Sequence, residues 1–182
     1  MKRVFSKSAK MLVLTLMGIL VISATAAVYY SLDMTSTITT AANDIWFVEG
    51  LDNVTAGVTL FNDNKSATLT DLKAYPNITM TYDDPIKVRN NNTGTNHFVR
   101  LTPVSLTGTA TYFVYINFTL QTSTPISLNY TSNGASWTTP SQTSFVQVDM
   151  NTEYSIVVET MANATAPADQ IATIEIAVEV QL

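Results

Sequence analysis

From Val28 to Ile38 apolar and polar residues alternate, so that Val28, Tyr30, Leu32, Met34 and Ile38 share one face, with Ser36 as its one polar exception. The opposite face carries Tyr29, Ser31, Asp33, Thr35 and Thr37. A period of two with no competing helical stripe predicts a β-strand that buries one side. It lies behind a hydrophobic leader and before the small, polar run Thr39-Thr40-Ala41-Ala42-Asn43. It is therefore expected to stand apart and to reach either its own sheet or a neighbouring subunit's.

Beyond residue 43 the chain is dense in Thr, Val, Ile and aromatic residues. Short alternating runs are separated by Asn, Asp, Gly and Pro. Strands are predicted over 45–48, 54–61, 67–72, 78–82, 98–104, 110–120, 127–130, 144–150, 154–160 and 171–182, with no convincing helix. In the 110–120 run, Tyr112, Val114, Ile116, Phe118 and Leu120 are expected on one face and Phe113, Tyr115, Asn117 and Thr119 on the other. Asn62-Asp63-Asn64, Asp83-Asp84-Pro85, Asn90-Asn91-Asn92-Thr93-Gly94 and Asn133-Gly134 read as turns. The fold expected is all-β, an antiparallel, jelly-roll-like β-sandwich with an extended N-terminal strand.

The first residues change the picture of where this domain works. A basic start, an apolar stretch from Met11 to Ile22 and the exit Ser23-Ala24-Thr25-Ala26 match a secretory signal peptide. Cleavage is expected between Ala26 and Ala27. The competing reading is a retained membrane helix, because apolar character runs on to Tyr30 for about twenty residues, enough to span a bilayer. The strand periodicity that follows at once favours cleavage. Residues 1–26 are thus assigned to the signal peptide, 27–42 to the N-terminal strand and linker, and 43–182 to one sandwich domain.

Four of the nine basic residues precede residue 27, so the remainder carries five bases against fourteen acids, a net charge of −9. That balance disfavours nucleic acid, whose binding requires clustered Lys and Arg. The absence of Cys removes thiolate chemistry and disulfides. His97 is the one histidine, and there is no G-x-S-x-G motif or phosphate-cradling glycine loop. No enzyme activity, cofactor or catalytic residue is expected. Asp83-Asp84, with Asp63 or Asp71, is the nearest approach to a calcium site, although adjacent acids in a turn are usually just solvated.

N-x-[ST] occurs at Asn53, Asn64, Asn77, Asn91, Asn117, Asn129 and Asn163. Composition alone would give about three or four such sequons. In an exported protein of a glycosylating cell these are candidate carriers of bulky, solubilising glycans.

The leader, the alternating segment and the following Ile45-Trp46-Phe47-Val48-Glu49-Gly50-Leu51-Asp52 resemble the start of the TasA and camelysin group of biofilm-matrix fibre proteins, which the archaeal bundling pilins also resemble. The resemblance implies a jelly-roll subunit that donates its N-terminal strand to the next subunit. The expected product is an extracellular, cell-surface homopolymeric filament, with bundling between filaments and membrane contact only during export. Burial of five apolar side chains would contribute roughly 7 to 15 kcal/mol before ordering costs. Because donating strand and accepting groove differ, the contact is heterologous and open-ended.

Two other readings stand beside it. One is a type IV pilin-like or archaellin-like subunit, cut near Lys10 and keeping its apolar helix. The other is a monomeric secreted carbohydrate-binding or surface-layer domain whose Val28–Ile38 strand completes its own sandwich. Trp46, Trp137, Tyr130 and Tyr75 would then be candidates for a sugar platform.

Overall fold

The computed structural model describes residues 32–40, 44–167 and 170–181. Val28, Tyr30, the cleavage residues Ala26 and Ala27, and Leu182 lie outside them. Two six-stranded sheets pack face to face as a β-sandwich. The first has the order β10-β6-β12-β1-β4-β3, comprising β10 (Val146–Val148), β6 (His97–Thr107), β12 (Ile171–Val180), β1 (Leu32–Thr40), β4 (Ser66–Ala74) and β3 (Val58–Phe61). The second has the order β2-β5-β11-β7-β8-β9, comprising β2 (Ile45–Glu49), β5 (Met80–Asn90), β11 (Glu153–Ala162), β7 (Phe113–Leu120), β8 (Ile126–Ser132) and β9 (Trp137–Thr138). Pairing between these strands is antiparallel except for β1 beside β12.

Alternation puts one side of each strand into the core between the sheets. Ala172, Ile174, Ile176 and Val178 of β12 join Ile116, Phe118 and Leu120 of β7, Ile126, Leu128 and Tyr130 of β8, and Ile156 and Val158 of β11 in one buried apolar cluster. Phe118 and Tyr130 meet edge to face with ring centroids 6.3 Å apart. Burial raises the Tyr130 phenol, and its hydroxyl has no hydrogen-bond partner. Tyr130→Phe is therefore expected to leave stability unchanged or raise it by up to about 1 kcal/mol in urea denaturation, since no bond is lost and a desolvated hydroxyl is removed.

Several sequence expectations shift by local irregularities. In β4 both Leu69 and Leu72 are buried although three residues apart, because Thr70 and Asp71 together oppose Thr35 in a bulge. In β7 a bulge opposite Met161 and Ala162 turns Phe113 inward and leaves Val114 half-buried, reversing the expected face at the strand's start. The expected turn Asp83-Asp84-Pro85 is instead a bulge within a continuous β5, set against Val157 between the pairs Ile156↔Ile86 and Val158↔Tyr82. Proline tolerates that position because a bulge frees its nitrogen from the ladder. Asn90, expected in a turn, also belongs to β5. The strand expected over 54–61 begins as a one-turn helix α1 (Asn53–Ala56), ended by Gly57 in the left-handed conformation at φ 64°. A second short turn, 3-10 in type, occupies Ala110–Tyr112.

Candidate functional site: the groove around the N-terminal strand

β1 is nearest the start of the described chain, yet it sits in the middle of its sheet. It runs parallel to β12, with Met34 beside Ala172, Ser36 beside Ile174, Ile38 beside Ile176 and Thr40 beside Val178. On its other side it pairs antiparallel with β4, with Met34 across from Leu72, Ser36 from Leu69 and Ile38 from Ala67. Met34, Ser36, Ile38 and Thr40 point into the core and are buried, while Thr35, Thr37 and Thr39 line the outer face. The predicted alternation holds from Met34 onward. Of the two destinations open to the segment, β1 in this single chain fills its own sheet.

Taking β1 away would divide the sheet into β10-β6-β12 and β4-β3. The cleft would expose two rows of unpaired backbone groups and the apolar walls Ala172, Ile174, Ile176 and Val178 on one side and Ala67, Leu69, Leu72 and Ala74 on the other.

The end of β1 lies at one pole of the sandwich. Thr40 N–H donates to Lys65 O at 2.9 Å, Phe47 N–H to Asn64 O at 2.7 Å, Asn91 N–H to Asp44 O at 2.8 Å and Gln181 N–H to Phe98 O at 2.8 Å. His97 also belongs there, as the first residue of β6, with Nε2 3.3 Å from Asp44 Oδ2. Only residues 41–44 separate β1 from β2. A connection of that length reaches no more than about 18 Å when extended.

The outer strands offer little for edge-to-edge pairing. β9 has 2 residues, β10 has 3, β3 has 4 and β2 has 5. Phe47 of β2 is already engaged by the β3–β4 turn. Where β6 extends beyond β10, it carries Pro103 and a bulge at Val104. Short strands, proline and bulges each discourage strand addition.

The sequons fall into two groups. Asn64, Asn77, Asn91 and Asn129 are exposed. Asn64 and Asn77 occupy turns at positive φ, Asn91 begins a loop, and Asn129 lies on the outer face of β8. Asn53, Asn117 and Asn163 are half-buried, with side-chain amides donating to Glu49, to Thr119 and Glu159, and to the Thr111 carbonyl respectively.

The acidic pair is divided by the β5 bulge. Asp83 is exposed, whereas Asp84 accepts from Ser155 Oγ at 2.6 Å and Leu51 N–H at 3.1 Å and lies 3.3 Å from Lys87 Nζ. Partial burial alone would raise the Asp84 carboxyl, but these bonds and the lysine charge outweigh it and hold the carboxyl below its ordinary range. Among the described residues no three His, Cys, Asp or Glu side chains gather as a metal site. Asp84 is a structural clamp that sequence reading missed. Gly50 was its signal, because a Cβ there would lie 1.9 Å from the Asp84 carbonyl oxygen. Gly50→Ala is expected to cost about 1–3 kcal/mol, read from the urea midpoint.

Asp84→Asn should have a pH-dependent effect. A carboxyl with a lowered folded pKa contributes stability above its unfolded value of about 3.9 and loses it as pH falls through the lower folded value. The difference in urea midpoint between the wild type and Asp84→Asn should be widest above pH 4 and narrow in stronger acid.

Among the described residues, the four aromatic candidates for a sugar platform do not share one exposed face. Tyr130 is buried in the core. Trp137 packs on Phe113 with centroids 5.5 Å apart, and its Nε1 donates to Gly108 O at 3.1 Å, so it serves as a lid over the sandwich. Trp46 and Tyr75 are half-buried on different strands and turns. Among the described residues no helix is long and apolar enough to cross a membrane. No family model matches the chain, and no curated protein sequence matches it.

Proposed function

We propose that this chain is a non-enzymatic, exported structural subunit that polymerises by strand exchange. β1 of one copy occupies, in the next copy, the place between β4 and β12 that it fills in its own. The observation that carries this reading is that the first strand of the described residues lies at the centre of a sheet. Such a strand can leave and be replaced without unthreading any other part of the chain.

The short and interrupted outer strands support the same reading, since they leave the central groove as the main place for β-addition. The resemblance of the first fifty residues to biofilm-matrix fibre subunits agrees with it. The brief connection over 41–44 keeps donor and acceptor in contact at the pole holding Thr40, Asn64 and Asn91. The product is an extracellular homopolymer, its exposed asparagines available for glycans.

The test is electron microscopy of the exported protein together with its N-terminal sequence. Filaments built of chains starting at Ala27 are expected. Chains starting at Met11 would favour the pilin-like reading. A second reading, a monomeric exported β-domain, has one observation in its favour: β1 satisfies its own groove in the single chain.

A further inference from the structure

We infer that Ser36 sets the rate at which β1 leaves its groove, and hence the rate of assembly. This rests on the strand exchange proposed above.

Ser36 is the one polar residue among the inward positions from Met34 to Ile38 and is fully buried. Its neighbours across the two ladders are Leu69 and Ile174, both fully buried and apolar. Its hydroxyl has no hydrogen-bond partner. It also adjoins the one break in β1 pairing, the bulge between Met34 and Ser36 where Thr70 and Asp71 oppose Thr35. An apolar side chain of similar size would suit this position better, because an unpaired hydroxyl in an apolar site carries its full desolvation penalty.

The direction of the effect follows from symmetry. Ser36 meets the same surroundings in its own groove and in a neighbour's, so the penalty cancels between the self-filled and exchanged states. It does not cancel against the released strand, whose hydroxyl is in water. Ser36 therefore raises the population of open chains without choosing between the two closed forms. Exchange proceeds through the open chain and is faster for it.

The experiment uses the full exported chain and Ser36→Ala, a change that deletes the hydroxyl and little else. Amide hydrogen exchange reads the opening of β1 relative to β5 and β11. Time-resolved light scattering reads assembly. In Ser36→Ala the β1 amides should exchange about tenfold more slowly, amides of β5 and β11 that open only with the whole fold should slow by no more than the same factor, and assembly should slow by a similar factor while the final yield of polymer stays the same. Met34→Ala, which leaves a cavity on the same face, should speed both. Unchanged β1 exchange in Ser36→Ala, or slower β1 exchange with unchanged assembly rate, would overturn the inference. If neither protein assembles while β1 exchange slows as expected, polymerisation itself is refuted and the role of Ser36 in strand release stands.

Discussion

A chain lacking residues 27–40 is expected to form no filaments and to lose most of its folding stability. β1 supplies the ladder partners of both β12 and β4, and its Met34 and Ile38 are wholly enclosed between the sheets. Truncating one such side chain to Ala costs about 2–5 kcal/mol. Removing the strand loses both side chains and also leaves two rows of backbone groups unpaired. The whole stability of a domain is about 5–15 kcal/mol. Urea denaturation should accordingly show a weakened, broadened transition. Adding a synthetic peptide of residues 27–40 should restore a cooperative one if strand exchange operates, because the groove would then accept the strand from outside the chain. A deleted chain as stable as the parent would remove β1 from the account altogether.

Ile38→Asp is expected to have nearly as large an effect through a single side chain. Ile38 is fully buried, with Ala67 and Ile176 as its ladder neighbours. A carboxylate there must be protonated or left unpaired in an apolar site, at a cost of about 4 kcal/mol or more. The groove of a neighbouring copy presents the same walls, so the substitution should lower the urea midpoint and abolish filaments together. Thr35→Lys, on the outer face of the same strand, should change stability by less than about 0.5 kcal/mol and leave filaments intact. Equal effects at the two positions would mean that burial does not hold this strand in place.

The legible part of β1 was its period, and the illegible part was its position. Alternation told which side of Met34, Ser36 and Ile38 would be buried, because a strand has only two faces. It carried no information on neighbours, and the parallel pairing with β12 joins residues some 140 positions apart, such as Ile38 and Ile176. Bulges defeated the same reasoning elsewhere. Leu69 and Leu72 point the same way only because an extra residue intervenes, and the inward turn of Phe113 has the same origin. Asp83-Asp84-Pro85 has turn chemistry but serves as a strand irregularity, where Asp84 can bind the corner at Leu51 and Asp52 from the side. Asp52 and Gly57, which bound α1, were the available signs of that corner, but four residues are too few for a helical period to register. The sequons were readable as motifs. Their exposure was not, since Asn117 and Asn129 lie directly across from each other on β7 and β8, one half-buried and one exposed.

The most direct test of strand exchange uses the absence of native cysteine. Thr37 and Thr68 are cross-strand partners on the outer face of β1 and β4, so Thr37→Cys with Thr68→Cys creates a single pair whose oxidation reports whose strand lies beside whose. Filaments oxidised before denaturation and run without reductant should give a ladder of covalently linked multimers. A single band of internally linked monomer from the same filaments would show that each copy keeps its own β1, and would contradict strand exchange.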